Sequence, residues 1–304
     1  MRPNLRRRPP RTIRIRGMLG LGDNIMQRPF VRAAAERGGR VYLDTPWPEL
    51  YADLPGVLPV RSKTGLRTQA KNERAAAVQW HAPPASAFLR RLAYGSGALE
   101  RMNIYQALEE CLPLEGAPFV LDLPPLPVPA IDTGGKPLAV VRPVTERREW
   151  LNSARNPRPE YVAELAARVA ATHYVVCIAD LEDGQEWMLG DLPFCDEALL
   201  RGELTTMEAL GLVAAADVVI GGVGWILPAA LAARRPAFIV LGGQGGHNSP
   251  EKLLDDRVDS SRVGWAMPDR YCRCIDKAHN CDREITGLLE QFETWAAAQG
   301  VPLC

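Results

Sequence analysis

Apolar and polar positions alternate at the start of the chain, where Arg11 to Arg16 interleaves Thr, Ile and Ile with Arg. Glycines break the pattern from Gly17 to Gly22, and Asn24 to Arg37 then follows a helical period with a small-residue face. This reads as strand, glycine turn, helix. Gly38 and Gly39 end the helix, Arg40 to Leu43 forms a second short strand, and Pro46 and Pro48 follow it. The opening is a βαβ unit, whose strands are expected to run parallel. From Leu58 to Leu121 the pattern is less regular. Arg61 to Arg74 is polar, Pro83 and Pro84 interrupt, and Ala87 to Cys111 is mostly helix-compatible.

Leu121 to Pro129 reads L-D-L-P-P-L-P-V-P, with four prolines that cannot donate backbone hydrogen bonds and that favour an extended chain. Beyond this linker the alternation resumes. Strands are expected at Leu138 to Arg142, Tyr174 to Ala179, Val218 to Ile220 and Ala237 to Leu241, and helices at Pro159 to Ala171, Thr205 to Ala216 and Trp225 to Arg234. Such alternation predicts a second parallel sheet with helices on both faces. Thr205 followed three residues later by Glu208 fits a capping box. A last helix over Glu284 to Gln299 is expected to pack across both lobes or to close the second.

A length of 304 residues suits two domains of roughly 150 residues each. The expected division is a basic tail over 1–10, a first α/β domain over 11–123, a proline-rich linker over 124–130 and a second α/β domain over 131–304. The formal net charge is zero, which argues against a surface built throughout for polyanions. A local basic patch does exist in the tail, where Arg2, Arg6, Arg7 and Arg8 are interrupted by prolines. It reads as a solvated terminus or as a nucleic-acid contact. No stretch reaches the ~20 apolar residues of a bilayer span, and no apolar signal region follows the basic start, so a cytoplasmic protein is expected. An odd count of seven cysteines favours free thiols over a disulfide scaffold.

Open parallel sheets bind ligands at the carboxyl ends of their strands. Three turns lie at such places. In Gly17-Met18-Leu19-Gly20-Leu21-Gly22-Asp23-Asn24, glycines let the backbone approach a ligand, and Asp23 starts a helix either as a functional carboxylate or as a helix cap. After the first strand of the second half come Arg142, Thr145, Arg147 and Arg148, a hydroxyl and guanidinium groups suited to a diphosphate. The alternative is a solvated loop whose arginines pair with Glu146 and Glu149. Gly221-Gly222-Val223-Gly224 opens a helix amino terminus to an anion. Gly242 to His247, with Gly243, reads as a lip on the same cleft or as a plain loop.

No dinucleotide fingerprint, Walker loop or G-x-S-x-G elbow occurs. Cys272, Cys274, His279 and Cys281 place four soft ligands within ten residues, a set that suits structural tetrahedral zinc or else remains as free or disulfide-prone thiols.

The segment G-L-G-D-N-I-M-Q-R-P-F-V-R-A-A-A-E-R resembles the amino-terminal G-D-x-x-x-x-x-P-x-x-x-A-L motif of glycosyltransferase family 9, the bacterial heptosyltransferases. A-A-A-D-V-V-I followed by G-G-V-G-W-I-L-P-A-A-L-A-A-R-R-P-A-F-I-V-L-G is similar to that family's strand, glycine turn, A-A-A-L-G-x-P and final strand. The resemblance implies a GT-B fold, two Rossmann-like doubly wound lobes facing a cleft, with the acceptor on the first and the nucleotide-diphosphate sugar on the second. It implies that no metal or other cofactor is required for catalysis. It also implies Asp23 as the general base, with the turn at Gly20, Gly22 and Asn24 on the acceptor side. Arg142, Thr145, Arg147, Arg148, Gly222, Gly224 and Gly243 fall on the donor side, Arg147 or Arg148 stabilising the departing diphosphate.

Two features depart from the family. Its polar Ser/Thr-Asp-Ser/Thr-Gly turn is replaced by Gly222-Val223-Gly224, which implies a nucleotide-diphosphate sugar in general rather than ADP-heptose in particular. The Cys/His cluster is not part of its pattern. The expected reaction is sugar transfer to an acceptor hydroxyl of lipopolysaccharide or another surface glycan. Alternatives are transfer to hydroxylated bases of phage DNA, motivated by the arginine tail and the cysteines, and nucleotide binding without catalysis, motivated by the apolar turn.

Overall fold

The computed structural model describes residues 12–278 and 280–303, so the arginine tail and His279 lie outside the described residues. Two compact units are present. One runs from the start of the described chain to Tyr94 and includes Gln106–Pro124; the other contains Gly95–Tyr105 and everything from Pro125 onward.

The first unit opens with β1 (Ile13–Arg16), α1 (Leu21–Glu36) and β2 (Val41–Asp44), followed by a 3-10 turn at Pro48–Tyr51 and then β3 (Val57–Val60), α2 (Arg67–Ala75) and β4 (Phe88–Arg91). All four strands are parallel, in the order β3-β2-β1-β4. Ile15, Val41 and Leu43 are fully buried, as the alternation of β1 and the apolar run of β2 require. Helix α1 begins three residues before the expected Asn24. Gly22 is taken into its first turn, and the carbonyl of Gly20 accepts from the Asn24 amide at 3.0 Å.

A short helix α3 (Ser96–Leu99) and the start of α4 (Ile104–Cys111) belong to the crossing segment. The second unit continues with β5 (Leu138–Arg142), β6 (Thr145–Arg147), α5 (Pro159–Ala170), β7 (Tyr174–Ile178), β8 (Glu186–Met188), β9 (Glu197–Leu199), α6 (Thr206–Ala215), β10 (Val218–Gly222) and α7 (Ile226–Ala233). After these come β11 (Ala237–Val240), α8 (Gly245–Asn248), α9 (Pro250–Leu253), β12 (Val263–Ala266) and α10 (Leu288–Gln299). Six strands form a parallel sheet in the order β12-β11-β10-β5-β7-β9.

The central strands are continuous apolar runs because helices cover both faces. Val140, Val176, Val219 and Ile239 are all inaccessible to solvent. The capping box at the start of α6 is formed, with Thr205 Oγ1 accepting from the Glu208 amide at 3.2 Å and Glu208 Oε2 accepting from the Thr205 amide at 2.8 Å. Helix α10 starts at Leu288 rather than Glu284, because Gly287 in a left-handed conformation (φ +66) precedes it. It packs on α5 and β12 of its own unit, with Phe292 meeting Phe238 edge-to-face at 5.0 Å between ring centroids.

Residues 145–147, expected in a loop, instead form an antiparallel ribbon with β8. Thr145 and Arg147 alternate with Glu146 there, a period too short to distinguish from loop polarity. The end of the Gly242–His247 segment likewise enters a helical turn, α8, which begins at Gly245.

Candidate functional site

Strand order fixes where ligands can enter each sheet. In the first, the chain proceeds from β1 to β2 and β3 on one side and returns to place β4 on the other, so its topological switch lies between β1 and β4. Asp23 stands in the first turn of α1, just beyond β1, and Tyr94 stands three residues beyond β4. The Tyr94 hydroxyl donates to Asp23 Oδ1 at 2.6 Å, a short charge-assisted bond across the switch. The second carboxylate oxygen folds over Gly20, whose missing side chain makes room for it. Sequence reasoning missed Tyr94, which is 71 positions from Asp23.

Asn24, expected on the acceptor side of the turn, is fully buried and engaged internally. Its Nδ2 donates to the carbonyls of Met18 (2.7 Å) and Gly20 (2.8 Å), and its Oδ1 accepts from Thr45 Oγ1 (2.7 Å) and Gln27 Nε2 (2.8 Å). Gln27 Oε1 in turn accepts from the Met18 amide at 2.9 Å. These bonds fix the backbone that carries Gly20, Gly22 and Asp23 and leave Asn24 little capacity for a ligand.

In the second sheet the chain proceeds from β5 to β7 and β9, then restarts on the opposite side with β10, β11 and β12, so the switch lies between β5 and β10. Arg142 ends β5 and is the strand partner of Gly221 in β10. Its side chain is 16% exposed, 4.0 Å from Glu186 Oε1, and donates from Nη2 to Thr145 Oγ1 at 3.2 Å. Burial holds the guanidinium below its ordinary pKa, the Glu186 carboxylate opposes that effect, and the positive charge of Arg147 adds to it. An anion in this place would relieve both the desolvation and the repulsion. A Cβ at Gly224 would stand 3.6 Å from Arg142 Nη1, ordinary contact distance, so the glycine turn lies directly beside the guanidinium. Gly222 lies on the same turn, beside Pro157. Arg147 is half-buried and Arg148 exposed.

Gly243 sits elsewhere. Its amide donates to the Ala154 carbonyl at 2.6 Å, and a side chain on it would run into Cys281 Sγ. A side chain on Gly245 would likewise run into the Cys272 carbonyl, and one on Gly246 would come within 2.7 Å of the Arg273 carbonyl. The cysteine segment is therefore packed directly on this glycine turn. Cys272, Cys274 and Cys281 bring their sulfurs to 3.2, 3.3 and 3.5 Å from one another. These separations are too long for a disulfide and suit three thiolates sharing one ion at about 2.3 Å. Burial opposes ionisation of Cys272, but the backbone amides of Gly245 and Cys274 and the neighbouring thiols bring it down to about 6, whereas burial pushes Cys281 up to about 12.

No protein-family model matches the chain, and no curated protein sequence matches it. Solved structures do. The iron-containing dodecameric glycosyltransferase TibC from enterotoxigenic E. coli superposes with a TM-score of 0.57 at 16% identity over 90% of this chain; the match spans 64% of TibC, less than two thirds of its length. In complex with ADP-D-beta-D-heptose, dodecameric iron-containing heptosyltransferase TibC gives a TM-score of 0.61 at 16% identity, covering 95% of this chain and 77% of that one. E. coli ADP-heptose lipopolysaccharide heptosyltransferase II gives 0.53 at 15% identity, covering 95% and 99% of the two chains. A glycosyl transferase family 9 protein from Veillonella parvula gives 0.57 at 12% identity, covering 95% and 97%. The chain has the fold of these glycosyltransferases, two Rossmann-like α/β units of the GT-B class.

Proposed function

We propose that this protein is a glycosyltransferase that moves a sugar from a nucleotide-diphosphate sugar to an acceptor hydroxyl. One observation carries the reading: each sheet holds a charged group suited to this chemistry at its topological switch, Asp23 in the first and Arg142 in the second. Asp23 accepts the proton of the acceptor hydroxyl as its oxygen bonds to the anomeric carbon. The bond from that carbon to the diphosphate breaks, and the nucleoside diphosphate leaves with the electron pair. Arg142, Arg147 and the glycine turn at Gly222 and Gly224 meet the charge that builds on it. Thr145 orients Arg142 through its hydroxyl.

The structural neighbours named for ADP-heptose and lipopolysaccharide favour a surface glycan as the acceptor. Among the described residues no helix is long and apolar enough to cross a membrane. Cys272, Cys274 and Cys281 would hold a structural ion of the zinc type, with His279 the fourth ligand by sequence spacing. The ion would tie the cysteine segment to itself where it packs on the 242–248 turn, and it would take no part in the chemical step.

A thermal-shift panel of nucleoside diphosphates and nucleotide sugars tests the reading, since a ligand bound only by the folded state raises the melting temperature. Selective stabilisation by one nucleotide family, lost in Arg142→Ala, is the expected result. A flat response across the panel would refute a nucleotide-sugar transferase. Metal content measured by elemental analysis tests the thiolate site, one equivalent per chain being expected and none counting against it.

A further inference from the structure

The Tyr94 hydroxyl reaches Asp23 Oδ1 at 2.6 Å from across the switch of the first sheet. It follows β4, whose residues Arg90 and Arg91 are the register partners of Ile15 and Arg16 in β1. The parallel pairing of β4 on β1 therefore carries the hydroxyl to the carboxylate, although the two residues are remote in sequence. Both side chains are half-buried. The Asp23 oxygen not bonded to Tyr94 is the one lying over Gly20, at the amino terminus of α1.

We propose that Tyr94 is a positioning residue for the reaction: its hydroxyl, donating to Oδ1, locks the Asp23 carboxylate in one rotamer. This rests on the reading of Asp23 as the general base. A short bond from a neutral hydroxyl to a carboxylate is among the stronger side-chain contacts available, which suits a rotamer lock. Asp23 in turn is placed by the buried Asn24 and Gln27 bonds to the turn, and Tyr94 adds the restraint from the opposite strand.

The test uses the full chain and a panel of nucleotide sugars that includes ADP-heptose, with water as the acceptor and nucleoside diphosphate release as the readout. Tyr94→Phe, which keeps the ring, is expected to lower kcat about tenfold at unchanged KM for the donor. In an Asp23→Asn background the same substitution should cost nothing further, a coupling that a purely structural tyrosine would not show. Tyr94→Gln, which restores a donor, should recover part of the lost kcat, and melting curves of each variant report folding independently. Wild-type kcat in Tyr94→Phe, with release by Asp23→Asn strongly reduced, overturns the positioning role and leaves the base assignment standing. Undiminished release in Asp23→Asn overturns the base assignment and the inference with it, and so does the absence of release from every donor by the wild-type protein.

Discussion

Arg28 donates from Nε to Asp122 Oδ1 at 2.9 Å across 94 positions of sequence, and the Arg28 side chain is completely enclosed. The same guanidinium reaches Asp53 Oδ1 at 2.9 Å and Asp53 Oδ2 at 2.6 Å and also donates to the Leu50 carbonyl. One buried cation thus ties α1 to the segment after the 3-10 turn and to the last residues of the first unit. Replacing Arg28 by Ala should cost about 1.5–3 kcal/mol, because an enclosed side chain is removed and two partly exposed carboxylates and a carbonyl lose their donor together. Denaturant unfolding measures it. Lys should recover little, since an ammonium lacks the planar fork that spans two carboxylates.

Acid should weaken the same cluster. Burial alone would raise the Asp53 carboxyl, but the hydrogen bond and charge of Arg28, with the charge of Arg32, outweigh it and hold the group below its ordinary value. A carboxyl whose pKa is lower when folded stabilises the protein above its unfolded pKa, about 3.9, and loses that contribution as pH falls through the folded value. The melting temperature should therefore decline below about pH 4. Asp53→Asn should begin lower at neutral pH and decline less; parallel curves for the two proteins would exclude this origin.

At the second switch, Arg142→Lys keeps the charge and removes the fork. Binding of the best-stabilising nucleoside diphosphate should weaken by roughly ten- to hundredfold, the worth of one or two charge-assisted hydrogen bonds. Titration calorimetry reads this directly. Affinity equal to wild type would place the diphosphate somewhere other than the β5–β10 crevice.

Gly243→Ala tests the clamp between the glycine turn and the cysteines. The added methyl would meet Cys281 Sγ and lie 2.9 Å from the Ala154 carbonyl, so the variant should lose about 1–3 kcal/mol and part of its bound metal. Chelator treatment of the wild type should lower the melting temperature in the same direction and have little effect on the variant. A variant with full metal content and an unchanged melting temperature would contradict a shared clamp.

The four central strands of the second sheet are legible because both faces are covered: A-V-V, V-V-C-I and A-F-I-V are uninterrupted apolar runs, and glycine or proline bounds most of them. Strand β4 is not. Phe88, Leu89, Arg90 and Arg91 are all exposed, so no alternation between core and solvent marks them, and backbone pairing with β1 alone makes the strand. Strand β12 was hidden by its brevity and by Gly264, which leaves room for Phe238 and Trp295. Asp23 could be picked out beside a glycine turn, and Arg142 at the end of an apolar run. Tyr94 could not, because it reaches Asp23 only through the order of strands in a sheet, which a linear pattern does not encode. The same holds for Gln27, whose side chain anchors the turn from inside a helix face that otherwise reads as packing.

The fit between the 242–248 turn and the cysteine segment has a consequence for engineering. The two backbones are complementary at several points, Gly245 against the Cys272 carbonyl, Gly246 against Arg273 and Gly243 against Cys281, and the Gly246 amide donates to the Cys274 carbonyl at 3.0 Å. Neither stretch presents a surface that an unrelated loop could meet. A metal knuckle moved into another scaffold would have to travel with its glycine bed as one two-part cassette, since the cysteines without that bed would be three thiols on a strand of undefined shape.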